Sequence, residues 1–154
     1  MRKPIKLLLH PAYSLSKAFT IIWISFLTFE SFAQELDTTL QANEKLHPFS
    51  MSYYGSEFQV DPNYQYVLAE IAQSVAKDSS THLHVRGHVC CGPSKRLSKR
   101  RAKKVYKYLI ALGAPKDRMS WKGYSDTCPR AWPEKTREDE AANRRVDFVI
   151  RKVK

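Results

Sequence analysis

His82, His84 and His88 recur on one side of an alternating run, Cys90 and Cys91 follow at once, and Cys128 completes the chain's three cysteines. Imidazole and thiolate are soft ligands, so His88, one of the adjacent cysteines and Cys128 could in principle hold zinc. Their spacing fits no established ligand pattern, and histidines two apart on a flat strand line a surface more readily than they converge. Cys90-Cys91 is also not the C-x-x-C spacing of a dithiol redox motif. No Ser-His-Asp set, His-Glu-x-x-His or Gly-rich phosphate loop occurs, and the acids are scattered. The residue types therefore point away from an enzyme and call for no metal or cofactor. Charge is the stronger signal. Eight Lys and Arg lie between Lys95 and Lys107 with no acid among them, a face that attracts phosphate or carboxylate-bearing polymers. Most of those eight read as a solvated helix face.

The elements that position these groups follow from periodicity. Phe49 to Tyr54 alternates and is aromatic, which predicts a first strand. Asp61-Pro62 is a helix start, and Tyr64, Leu68, Ile71 and Val75 recur at helical spacing to about Lys77. Thr81 to Val89 is a second strand with Leu83, Val85 and Val89 on one face. His82, His84, Arg86 and His88 fall on the other, expected to be exposed or half-covered. A helix from about Ser94 to Leu112 buries Ala102, Val105, Leu109 and Leu112, and Gly113 and Pro115 stop it. Met119 to Tyr124 is a third strand, Glu134 to Asn143 a short helix, and Val146, Phe148 and Ile150 alternate in a last strand. The fold class is α+β: a two-layer β-α-β-α-β-(α)-β sandwich, a mixed four-stranded sheet with helices on one face. A strand running through a tight loop into a helix leaves polar groups at the strand's carboxyl end, where binding sites often form.

The residues at that end resemble a known family. Gly87-His88, Leu97-Ser98, Arg101-Ala102 and Val105 match the signature of the OmpA-like, peptidoglycan-associating C-terminal domain. Leu112-Gly113-Ala114-Pro115, Gly123-Tyr124-Ser125-Asp126 with Pro129, and Asn143-Arg144-Arg145-Val146-Asp147 extend the resemblance in order over roughly the last hundred residues. It implies a non-covalent binder of peptidoglycan that holds the diaminopimelate of the wall peptide with an aspartate and an arginine. Arg101 stands at the arginine position, where a guanidinium can donate two parallel hydrogen bonds to a carboxylate. Cys90 stands where the family has its aspartate and Ser94 where it has an asparagine, and the loop between is a few residues short. Asp126 is the expected substitute for the missing acid. Arg144 is expected to line the same pocket, with His88 and Asn143 beside it and Arg145 structural. Two other readings stay open: an assembly module that has lost its ligand, and a general polyanion binder using the basic helix.

The same resemblance brings the loop after Val89 beside the loop after Tyr124. In an exported chain with three cysteines, a disulfide is then expected from Cys128 to one of the pair Cys90 and Cys91, with Cys91 slightly favoured, whereas a bridge between the adjacent cysteines is the least expected arrangement. A Cys91–Cys128 link would close a 38-residue loop, worth about 4 kcal/mol in the chain-entropy account.

The N-terminus reads separately. Arg2, Lys3, Lys6 and Lys17 precede an apolar run from Ala18 to Phe29, and Ser31-Phe32-Ala33 offers small residues for cleavage. Residues 1–33 are expected to be a secretory signal peptide, 34–48 a linker or N-terminal arm, and 49–154 the OmpA-like domain. No cysteine sits near the cleavage point, so no lipid anchor is expected there. Cleavage would lower the net charge from +11 to +8. The expected location is the periplasm of a Gram-negative cell, in association with the outer membrane and cell wall. Outer-membrane or other envelope proteins are further candidate partners, and nucleic acid is not an expected one.

Overall fold

The computed structural model describes residues 40–153. The expected signal peptide lies outside the described residues. Within them, no helix is long and apolar enough to cross a membrane.

Four strands form one sheet: β1 (Glu44–Ser52), β2 (Thr81–His88), β3 (Met119–Ser125) and β4 (Arg145–Lys152). Three α-helices connect them: α1 (Gln65–Lys77), α2 (Lys95–Ala111) and α3 (Arg137–Asn143). The strand order is β1-β4-β2-β3. β2 and β3 are parallel and joined through α2, whereas β4 runs antiparallel to both β2 and β1. The expected mixed α+β sheet is therefore the one observed.

Local chemistry explains the helix ends. The Asp61 side chain accepts from Asn63 N, and Pro62 opens a 3-10 turn that leads into α1. Thr136 caps α3 and shares a capping box with Asp139. Burial then fixes the packing. Leu68, Ile71, Ala72 and Val75 of α1 and Ala102, Val105 and Leu109 of α2 join Leu83, Val85, Val146 and Phe148 of the sheet in one core.

Two glycines set how closely α2 lies on the strands. A Cβ at Gly87 would stand 2.2 Å from Ser98 O, and one at Gly123 would stand 2.4 Å from Lys99 N. Any side chain there would lift the helix off β2 and β3. Ser98 uses the closeness: its Oγ donates to Lys95 O and accepts from Ser125 N.

Two sequence expectations need correcting. β1 starts at Glu44, not Phe49, so part of the expected linker is strand. Glu44, Lys45 and Leu46 pair with Arg151, Ile150 and Val149, and the register then shifts before Ser50. Pro48 lies within that irregularity; a proline that cannot donate to a ladder is tolerated on an edge strand and hides the periodicity. The polar face of β2 is also less open than expected. Arg86 and His88 are buried, because Asp147 of β4 balances the Arg86 charge and lies 3.3 Å from the His88 imidazole, on which the Tyr124 ring stacks at 5.6 Å.

Candidate functional site

β2 ends in a bulge at Gly87–His88 and delivers the chain into the loop 89–94 that leads to α2. Cys91 takes φ +60° and Gly92 φ +107°, so the loop reverses within two residues. Ser94 N donates to Ser125 Oγ (2.8 Å), and Val89 N donates to Ser125 O (3.0 Å), which ties this loop to the end of β3. The expected neighbourhood of the two loops is thus present.

Between the loop 89–94 and the segment after β1 lies a cleft of about 500 Å³. Its wall includes Ser56, Cys90, Ser94, Leu97, Arg101 and Arg144. No Asp or Glu belongs to its lining, so it is a cationic hollow.

The two guanidiniums have different situations. Arg101 is fully buried and its three nitrogens all donate to carbonyls: Nε to Glu57 O (2.8 Å), Nη1 to His88 O (2.9 Å) and Nη2 to Gly55 O (2.7 Å). It also sits 4.6 Å from the Tyr53 ring centroid. Burial is the main influence that pushes its pKa down to about 10, so it remains charged at neutral pH. Arg101 therefore forms the cleft's floor by pinning the segment after β1 to the end of β2. Arg144 is the more available group. Its Nε reaches Tyr53 O (3.3 Å), and its Nη1 reaches Cys90 Sγ (3.2 Å) and Glu140 Oε2 (3.1 Å). Its Nη2 carries no hydrogen bond among the described residues.

The remaining expected site residues stand outside the cleft lining. His88 is buried behind the cleft, with Nε2 3.3 Å from Asp147 Oδ2. Desolvation lowers its pKa against the pull of Asp147. Burial also works against the charge on Asp147, but the adjacent His88 imidazole and the hydrogen bonds from Arg86 outweigh it and hold that carboxyl well below the usual range. Arg145, expected to be structural, donates to Asp147 Oδ2 (3.1 Å) and to Cys128 O (3.1 Å). Asn143 is buried and organises the loop before α3. Its Oδ1 accepts from Arg130 N and Ala131 N, and its Nδ2 donates to Ala131 O and Glu134 Oε1. Asp126 occupies a tight turn closed by Thr127 N on Tyr124 O, and it is not among the lining residues.

The disulfide expectation is overturned. Cys90 and Cys91 are bonded to each other, and Cys128 is a free thiol. The left-handed turn at Cys91 brings the adjacent side chains together, while the Cys128 backbone is held toward β4 by Arg145. Histidine plays no part in a metal-ligand grouping among the described residues; Cys90, Cys91 and Glu140 form the one found there. His82 and His84 instead line a separate hollow on the sheet, where His84 contacts Ser120 Oγ (2.7 Å) and Tyr124 Oη (3.2 Å).

Sequence reasoning missed Glu140 and Glu134. The first is four residues before Arg144 on a helix, a spacing that predicts an ion pair. The second bridges Asn143 to Cys91 N (3.0 Å) across 43 positions, which no local pattern signals.

A family profile matches residues 53–144, from the end of β1 to the start of β4. The chain belongs to the OmpA family. Solved OmpA-like structures agree in fold. The peptidoglycan-associated lipoprotein of Burkholderia pseudomallei is 24% identical, with a TM-score of 0.62 over 66% of this chain and 89% of that one. The C-terminal domain of Helicobacter pylori MotB is 22% identical, with a TM-score of 0.64 over 70% and 87%. The OmpA-like domain of Francisella tularensis FopA1 is 14% identical, with a TM-score of 0.56 over 75% and 81%. No curated protein sequence matches the chain significantly.

Proposed function

We propose that this OmpA domain is a non-catalytic module that binds the peptide of cell-wall peptidoglycan, after export to the cell envelope. The observation that carries this reading is the cleft at the end of β2, which has Arg101 in its floor, Arg144 at its side and no carboxylate in its lining. A wall peptide with diaminopimelate offers carboxylates that suit the free Nη2 of Arg144, while Arg101 adds positive charge beneath. The family and the name of the Burkholderia relative support the same ligand class. The cleft departs from a two-charge clamp, because Cys90 in a disulfide offers nothing to the diaminopimelate ammonium. Recognition then rests on the carboxylate. Asp126, outside the cleft lining, would meet the ammonium only if the ligand extended past the cleft.

Co-sedimentation with purified wall sacculi tests this. The protein is expected in the pellet, and Arg144→Ala is expected to reduce the pelleted fraction severalfold while Lys103→Ala and Lys107→Ala do not. Equal losses in all three variants, with release by modest salt, would transfer the activity to the basic face of α2. Protein left in the supernatant at low salt would sink the proposal.

A further inference from the structure

We propose that Cys90, Cys91 and Glu140 become a site for a soft divalent cation once the Cys90–Cys91 disulfide is reduced. The ligand atoms of these three residues already lie within 4.8 Å of one another. Two thiolates and a carboxylate around a tetrahedral ion would stand roughly 3.5–3.8 Å apart, so side-chain adjustment alone brings them into place. The supports differ in kind. Cys91 is held by Glu134 at its backbone N–H, Glu140 projects from α3, and Arg144 Nη1 touches both Cys90 Sγ (3.2 Å) and Glu140 Oε2 (3.1 Å).

The chemistry balances. A dithiol reductant transfers two electrons and two protons to the Cys90–Cys91 bond and itself closes to a disulfide. The incoming cation then displaces both thiol protons to solvent, and Glu140 binds as the carboxylate it already is. Two thiolates and one carboxylate around a divalent ion leave one negative charge, and the Arg144 guanidinium beside them cancels it. One tetrahedral position stays open to water. In the oxidised state neither sulfur can ligate, so the site exists only in the reduced protein. It does not depend on the wall-binding reading.

Cd2+ is the probe, because thiolate-to-metal charge transfer reports it in the ultraviolet. As isolated, the full chain should show the Cys128 thiol alone and take up no Cd2+ through thiolates in pairs. After treatment with a dithiol and its removal under argon, it should bind one equivalent and release protons. Cys128→Ser should leave uptake unchanged, Cys90→Ser should abolish it, and Glu140→Gln should weaken it about tenfold or more. Circular dichroism follows folding in each case. Glu140 is part-exposed, so Glu140→Gln still tests the site even if Cys90→Ser does not fold. Absence of uptake by the reduced protein, loss of uptake in Cys128→Ser, or unchanged affinity in Glu140→Gln would each overturn the site.

Discussion

Arg86 Nε and Asp147 Oδ1 meet at 2.6 Å across β2 and β4, and both side chains are essentially sealed from water. Asp147 is also the only acid that contacts Arg145 or His88 among the described ion pairs. Asp147→Asn would take the carboxylate counter-charge from the buried guanidiniums of Arg86 and Arg145. Removing one partner of a buried pair typically costs about 3–5 kcal/mol, and urea unfolding is expected to show a loss of that order. A loss below about 1 kcal/mol would mean that water reaches the cluster.

The same cluster sets the acid response. Asp147 has a depressed folded pKa, so its contribution is complete above the unfolded carboxyl value of about 4 and is lost as pH falls toward the folded value. His88 is also depressed, chiefly by burial, so the unfolded chain takes up its proton first. Stability should therefore decline as pH drops below about 6.5, with His84 contributing in the same direction. Replacing His88 with Gln should flatten the decline between pH 5 and 6.5, roughly the window in which free histidine titrates. An unchanged slope in H88Q would remove His88 from this account.

Arg101→Ala is expected to act on folding before binding. It strips donors from the carbonyls of Gly55, Glu57 and His88, at about 1–3 kcal/mol for each group that water cannot reach. Thermal unfolding of Arg101→Ala and Arg144→Ala side by side separates the roles. Only the first should lower the midpoint by several degrees.

Ligand chemistry gives a sharper test of the cleft. Amidating the diaminopimelate carboxylate of a wall peptide should weaken binding about tenfold or more, by loss of a charge-assisted hydrogen bond. Acetylating its free amino group should have little effect, since no carboxylate lines the cleft. Titration calorimetry with the two modified peptides decides it. The opposite ranking would restore Asp126 as an ammonium partner.

Glycine substitutions test the seat of α2. Gly87→Ala directs a methyl at a backbone oxygen 2.2 Å away, and overpacking of this kind costs about 1–3 kcal/mol or more. Gly92→Ala meets open space and only backbone strain, about 1–2 kcal/mol. Denaturant midpoints should rank Gly87→Ala as the worse.

Much of this was legible in the sequence because local rules and motif order agree. Gly87-His88 and Arg101-Ala102 sit where a strand must end and a helix must run, and Asp61-Pro62 marks a helix start by cap chemistry alone. The site was less legible wherever long-range contacts decide. The resemblance gives Arg101 the place of a ligand clamp on its helix, but only the carbonyls of Gly55 and Glu57, more than 40 positions away, turn it into the floor of the cleft. The cysteine pairing turned on a left-handed residue at Cys91, which spacing does not reveal. Pro48 interrupted the alternation by which the start of β1 would have been read.

The glycine seats at Gly87 and Gly123 have a consequence for how such a protein can change. They hold the end of β2 and the first turns of α2 at a fixed separation, so the connector 89–94 must span a constant gap. Its residues can then be exchanged as a cassette without re-setting the scaffold on either side. Grafting an acidic connector into this frame would change the side chains at one wall of the cleft while Arg101 and Arg144, which lie outside the connector, stay in place.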